Sequence, residues 1–410
     1  MERTLLFYAI LIILLVQFLV HQVLEYLNAK RFGSSPPPEL SDVFDSGEYQ
    51  KSQRYKWANY RFGLFSSGFF LLLTLGFLWF GGFEWVDRIT RSLSDGPIGM
   101  ALIFFGFISM GSGILGIPFS YYRTFVIEQT FGFNKTNRKL FFMDKLKGGL
   151  LAGLLGGILL TLLILFHQGS GPNFWIYAWA IIAGVVLFLN LFHARLIVPL
   201  FNKQTPLDEG SWKGAIEASA TQVGFELKNI CVIDGSKRST KANAYFSGLG
   251  REKRITLFDT LIEDLTEEEI VAVLAHEVGH YKKKHIVLNL LVSLSVIGFT
   301  LYLLALFINN SEISMAIGVS TPSFHAALVG FALLYSPISE VTGLALNYLS
   351  RTFEFQADQY AKNTFAASPL VSSLKKMSKN SLSNLTPHPA YVFVHYSHPP
   401  LIERIRSLGA

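Results

Sequence analysis

What most constrains this chain is a series of apolar stretches, each long enough to cross a bilayer. A helix rises 1.5 Å per residue, so about 20 apolar residues cross a hydrocarbon layer of about 30 Å. Directly after Met-Glu-Arg-Thr comes LLFYAILIILLVQFLV, and further stretches occupy residues 62–82, 98–117, 149–167, 174–195, 286–308 and 324–349. No small-residue cleavage site follows the first run, which flows on into His21 to Asn28, so it reads as a retained span rather than a signal peptide. Backbone inside hydrocarbon must satisfy its own hydrogen bonds, which makes each span a helix. The expected fold is an all-α polytopic membrane protein of seven transmembrane helices. Composition agrees: half the residues are hydrophobic and only 16% are charged, against about 25% in soluble domains.

Lysine and arginine alternate from loop to loop. The first loop carries Lys30, Arg31, Lys51, Arg54, Lys56 and Arg61; the second has Arg88 and Arg91, balanced by Glu84 and Asp87. The third holds Arg123, Lys135, Arg138, Lys139, Lys145 and Lys147, whereas HQGSGPN and NNSEISMAIGVSTPS have none. The positive-inside rule then places the N-terminus outside or lumenal and the odd loops and C-terminus in the cytoplasm. Bacterial inner membrane and endoplasmic reticulum fit equally. The net charge of +6 comes mostly from these loops, which argues for membrane orientation and against nucleic acid. Four parts are expected: helices one to five over 1–195, a cytoplasmic insert over 196–285, helices six and seven over 286–349, and a helical tail over 350–410. In the first loop, SSPPPEL reads as a semi-rigid connector. The aromatic and basic third loop, YRTFVIEQTFGFNKTNRKLFFMDKLKGG, reads as an amphipathic segment on the membrane surface.

The insert is a small α+β unit: a helix at Trp212–Val223, strands at Glu226–Ile233, Asn243–Gly248 and Lys253–Phe258, then the helix LTEEEIVAVLAHEVGHYKKKH. Thr266 and Glu269 have the spacing of a capping box at its start. His276 and His280 lie one turn apart on one helical face, where two imidazoles can hold a metal from one side. Glu277 stands one step round, facing the position of a water. This H-E-x-x-H pattern points to one Zn2+ per chain and hydrolysis. The single cysteine, Cys231, excludes a disulfide and a cysteine zinc site, so the remaining ligand is a histidine or a carboxylate.

That ligand is sought in the continuation of the last span, NYLSRTFEFQADQYAKNTF. Asn347, Arg351, Glu354 and Asp358 are spaced four, three and four apart and share a helical face. Glu354 is the expected third ligand, completing a two-His, one-Glu set with an open fourth position. Asp358, one turn on, is placed to accept the free ring N–H of a ligand histidine. Beyond residue 349 the tail reads as helices broken by HPAYVFVHYSHPP. Glu340 and Asn289 fall within spans and should face the bundle interior or water, and Pro337 should kink the seventh span.

HEVGH, followed by SRTFEFQAD and then HYSHPPLIERI, resembles the type 1 CAAX prenyl protease family of integral-membrane zinc metalloproteases. YRTFVIEQTFGFNK, PLFNKQTPLDEG and DGSKRSTKANAYFSG extend the resemblance over most of the chain. It implies that the helices enclose an intramembrane chamber with the zinc site at its cytoplasmic side. Position by position it implies His276, His280 and Glu354 as ligands and Glu277 as catalytic base. It implies Asn243 on an edge strand that binds substrate backbone, His398 stabilising the oxyanion, and Arg404 as a catalytic support. The implied substrate is a prenylated CAAX-type peptide or protein, lipidated or extended, met at the membrane lipid. Two alternatives stay open on the residues: a general quality-control metalloprotease of the heat-shock type, and a polytopic transporter with a chance H-E-x-x-H. The chain shows no inverted hydropathy repeat of the kind that favours a transporter.

Overall fold

The computed structural model describes residues 3–208, 210–222, 229–247 and 254–409. The chain begins with α1 (Leu5–Ala29), α2 (Ser46–Trp79), the short amphipathic α3 (Gly82–Leu93) and α4 (Pro97–Tyr122). A π-helical turn, Arg123–Glu128, ends α4. α5 (Arg138–Ser170) and α6 (Phe174–Leu196) follow, then the single turn α7 (Val198–Phe201).

Among the described residues six helical segments are apolar and long enough to cross a membrane. One of them, Arg138–Phe201, has 64 residues and would reach about 96 Å as a single helix, far more than one bilayer. It is divided at Gly171, whose positive φ of 55° suits glycine, into α5 and α6 packed side by side. The count is therefore compatible with seven spans.

The insert comprises β1 (Gln204–Pro206), α8 (Ser211–Gln222), β2 (Asn229–Ile233), β3 (Ala244–Ser247) and β4 (Arg254–Phe258), then α9 (Asp259–Asp264) and α10 (Glu267–Lys282). Val223, residues 226–228, Gly248 and Lys253 of the expected elements lie outside the described residues. The sheet order is β1-β2-β4-β3, with β2 and β4 parallel and the outer pairs antiparallel. β1 escapes sequence reading because three residues ending in proline show no alternation. Ile255, Leu257, Leu261 and Ile270 are fully buried beneath the sheet. Each contributes about 1.5–3 kcal/mol of transfer free energy.

The remaining helices are α11 (His285–Phe307), α12 (Ser311–Met315), α13 (Phe324–Thr364), α14 (Ala367–Asn380), α15 (Pro389–His395) and α16 (Leu401–Leu408). Two sequence expectations change here. PAYVFVH is itself the helix α15, started by Pro389 in the first turn, not a break between helices. The third loop is not a free surface segment: Asn134 bridges to Ser239, and Phe133 joins the buried cluster around Leu40 and Leu370.

Three of the membrane helices bury residues near their ends and few or none in their middles. α1 buries Phe7 and Ile10, then nothing until Leu24; α2 buries Lys56, then nothing until Leu78. α13 buries Phe331, then nothing until Arg351, about 30 Å further along. Helices packed along their length would bury a residue every turn or so. Such open stretches in α1, α2 and α13 are compatible with the chamber expectation. Polar Asn289 and Glu340 are both exposed.

Candidate active site

α10 is apolar almost all round, with Ile270, Val271, Ala272, Val273, Leu274, Ala275 and Val278 buried. Such a helix must be enclosed by neighbours, here α13, α14 and α8. Its start is fixed by a complete capping box. Thr266 N donates to Glu269 Oε2 at 2.8 Å and Glu269 N to Thr266 Oγ1 at 3.4 Å. Glu269 is further held by Ser372 Oγ at 2.6 Å and Lys376 Nζ at 2.7 Å. Burial pushes its carboxyl up, but Lys376, Ser372 and the Thr266 N–H outweigh this and hold it below the usual range.

Gly279, between the histidines, lets α10 approach α13 closely. A Cβ there would lie 3.1 Å from Ala357 Cα, Ala357 O and Tyr360 Cβ. This contact brings the H-E-x-x-H face onto Glu354, one turn before Asp358 on α13. His276 Nε2 lies 3.2 Å from His280 Nε2 and 3.6 Å from Glu354 Oε2, and His280 Nε2 lies 3.3 Å from Glu354 Oε1. Tetrahedral zinc bonds of about 2.0–2.1 Å space their ligand atoms about 3.3 Å apart, so the three groups fit one ion. His276, His280 and Glu354 form the only such metal-capable cluster among the described residues. Glu354 Oε2 is buried and makes no well-directed hydrogen bond, although His398 and Arg404 approach it at 3.0 and 3.4 Å.

Behind the cluster, His276 Nδ1 lies 2.9 Å from Asp358 Oδ1, and Asp358 is fully buried. Arg404 forks onto Asp358, with Nε at 2.8 Å from Oδ2 and Nη2 at 2.6 Å from Oδ1. Its Nη1 also lies 3.4 Å from Glu354 Oε2. Arg404 is thus placed to orient ligands from behind. Burial pushes the Glu277 carboxyl above the ordinary glutamate range, opposed by the imidazoles of His276 and His280.

His280 has its own support, which the sequence reading missed. His280 Nδ1 lies 3.0 Å from His285 Nδ1, and His285 Nε2 lies 2.9 Å from Gln356 Oε1. The buried His285 ring stacks on Phe353 at 4.1 Å. On a continuous helix an offset of five residues points well round the axis. Here Lys284, in the left-handed region at φ +60°, separates α10 from α11 and turns His285 back. No helical spacing rule reveals that.

Of the three tail histidines, only His398 reaches the cluster: its Nδ1 lies 3.0 Å from Glu354 Oε2. That carboxylate holds His398 above the ordinary histidine range. His388 caps α15, and His395 meets His21 ring to ring at 5.3 Å. The segment leading to His398 is held by the other residues of the α13 stripe. Asn347 Nδ2 donates to Val394 O at 2.7 Å, and Arg351 Nη1 to Tyr396 O at 2.5 Å.

Asn243 is exposed and lies just before β3, and none of its hydrogen bonds among the described residues reaches this cluster. Among the described residues β3 pairs only with β4, so it is the sheet's edge strand. The residues before it are tied to the membrane helices. Arg238 forks onto Asp144 at 2.8 and 2.9 Å, and Lys241 Nζ reaches Glu128 Oε2 and Tyr55 Oη, both at 3.1 Å. A cavity of about 830 Å3 opens beside the cluster, lined by His398 and Arg404 and by polar residues of α1, α2 and α15.

Membrane-crossing helices that carry a converged His-His-Glu set beside a cavity define a membrane-embedded metallopeptidase. Residues 25–203 match the family described as CAAX prenyl protease N-terminal, five membrane helices, and residues 206–410 match peptidase family M48. The CAAX prenyl protease 1 homolog of Oryza sativa subsp. japonica is 36% identical, covering 91% of this chain and 89% of that one. The Homo sapiens homolog is 34% identical over 91% and 88% of the two chains. The crystal structure of S. mikatae Ste24p, 33% identical, superposes with a TM-score of 0.94 over 100% of both chains. The chain belongs to the CAAX prenyl protease 1 family within peptidase family M48. It is a multi-pass integral membrane zinc metalloendopeptidase.

Proposed function

We propose that this protein cleaves prenylated CAAX-type proteins or peptides near their C-terminus, at a zinc site facing the cytoplasm. The single observation that carries the reading is the convergence of His276, His280 and Glu354 at 3.2–3.6 Å beside a cavity within the helical bundle. Zinc held by these three residues supplies Lewis acidity, which lowers the pKa of water to about 7.

The chain's own residues do the rest. Glu277 takes the proton of the attacking water on its carboxylate and returns it to the leaving amine. Its raised pKa suits both halves of that transfer. Asp358 accepts the Nδ1–H of His276 and fixes its tautomer, and Arg404 holds Asp358 by its fork. His398, whose pKa the neighbouring Glu354 carboxylate raises, donates to the carbonyl oxygen as charge develops there. The substrate main chain adds to the free edge of β3 beside Asn243. An enclosed site of this kind admits an extended segment and not a folded domain. The lipid chain of the substrate sits in apolar surroundings, where each buried methylene contributes about 0.8 kcal/mol.

The alternation of Lys and Arg supports a lumenal or outside N-terminus and a cytoplasmic C-terminus, and a membrane rather than nucleic-acid setting. The test is a comparison of kcat/KM for a farnesylated peptide and the same peptide with a small-capped cysteine, at equal concentration in detergent. A much higher value for the farnesylated peptide supports the reading. Equal values would leave a general membrane endopeptidase.

A further inference from the structure

Lys56 lies on α2 and is only 8% exposed. Burying an ammonium is costly, and lysine is seldom buried without a carboxylate or hydrogen-bond partner. Among the described residues Lys56 has neither an ion pair nor a hydrogen bond. Its Nζ lies 5.9 Å from the ring centroid of Tyr49. The stem of Lys56 is thus buried while its unpartnered ammonium is reached only from the cavity, a setting typical of functional groups.

Lys56 lines the same cavity of about 830 Å3 as His398 and Arg404. Arg123 also lines it, exposed and without a carboxylate partner among the described residues. Among those residues Glu25 is the only carboxylate in the cavity wall, and it accepts a hydrogen bond from Tyr391 Oη at 3.1 Å. Arg404 is committed to Asp358. With Arg404 paired to Asp358, the wall carries the cations of Lys56 and Arg123 against the single carboxylate of Glu25, a net positive charge.

We propose that Lys56 binds the C-terminal α-carboxylate of the peptide substrate inside the cavity it shares with His398 and Arg404. The proposal rests on the C-terminal protease reading and names the group by which a chain end is recognised. Three residues beyond a scissile bond extend about 10 Å. The cavity lies in the range of about 300–1,000 Å3 that encloses small ligands whole. In that partly desolvated setting an ammonium–carboxylate contact is stronger than on an open surface. The contact satisfies the lysine and favours peptides that end in a free carboxylate within the cavity.

The test uses matched lipidated peptides ending in a free acid or in an amide, with the zinc-loaded wild type, Lys56→Gln, Lys56→Met and Lys56→Arg. The wild type should prefer the acid by at least about 10-fold, mostly in KM, the scale of one hydrogen bond to a charged group. The acid-to-amide ratio should fall to near one in both neutral variants and be largely kept in Lys56→Arg. Zinc content and melting temperature of each variant identify misfolding, to which the ratio is insensitive. A wild-type ratio near one, or a ratio unchanged by the neutral variants, overturns the proposal. A phosphate headgroup offers similar charge, so the assay is run in neutral and in anionic detergent. A loss equal for acid and amide, present only in the anionic detergent, assigns Lys56 to lipid and overturns it as well. If the wild type cleaves neither peptide, the protease reading itself falls and takes the proposal with it.

Discussion

Replacing Gly279 by alanine adds one methyl group at the contact between α10 and α13. The new Cβ would lie 3.1 Å from Ala357 Cα, Ala357 O and Tyr360 Cβ. Carbon atoms in good contact sit about 3.5–4.0 Å apart. Two of the three opposing atoms are backbone and Ala357 is fully buried, so no rotamer change relieves the clash. The helices must part by a few tenths of an ångström. Overpacking of this kind costs about 1–3 kcal/mol, while glycine to alanine in a helix returns about 0.5–1 kcal/mol. The net loss of stability is about 1 kcal/mol, which the fold tolerates. The site is less tolerant, because His280 adjoins Gly279 and Ala357 lies between Glu354 and Asp358. Moving the two histidines off Glu354 should weaken zinc binding about 10-fold, the lower end of what disturbed ligand support costs. Chelator titration of the purified protein reads this directly, with peptide cleavage recovering in excess zinc. Gly279→Val should be worse on both counts. If Gly279→Ala bound zinc as tightly as the wild type and cleaved peptide at the same rate, the close helix contact would not be what sets the ligand spacing.

Glu277→Gln should keep its zinc and lose most turnover, because it removes the proton carrier and leaves the ligands; near-normal rates would mean a different base. His280→Ala should lose the metal, read by zinc analysis after dialysis. Asp358→Ala should weaken zinc about 10- to 100-fold, since it frees His276 Nδ1 and removes the carboxylate that Arg404 forks onto; an unchanged affinity would deny Asp358 that role. Glu269 has a pKa lowered in the folded protein, so its contribution is present above the unfolded value of about 4.3 and fades as pH falls through the lower folded value. The melting-temperature gap between wild type and Glu269→Gln should therefore be larger at pH 6 than below the unfolded value, and a gap independent of pH would contradict this assignment.

Much of this protein is legible locally. Span lengths follow from hydrocarbon thickness. The capping box at Thr266 follows from backbone donors left free at a helix start. The pairings of His276 with His280 and of Glu354 with Asp358 follow from 3.6 residues per turn. All of these are properties of one element read in isolation, so the sequence determined them alone. The tertiary structure decided which elements meet. No spacing rule brings His285 onto His280, because a left-handed residue at Lys284 breaks the helix between them. Nothing local separates His388, His395 and His398. They are sorted by Asn347 and Arg351, which grip the carbonyls of Val394 and Tyr396 from 45 or more residues away in sequence. Lys56, counted in a basic loop from sequence, turns out to be buried in the wall of the cavity. Local pattern fixes which way a side chain points from its own helix; what it then faces depends on the packing of distant segments.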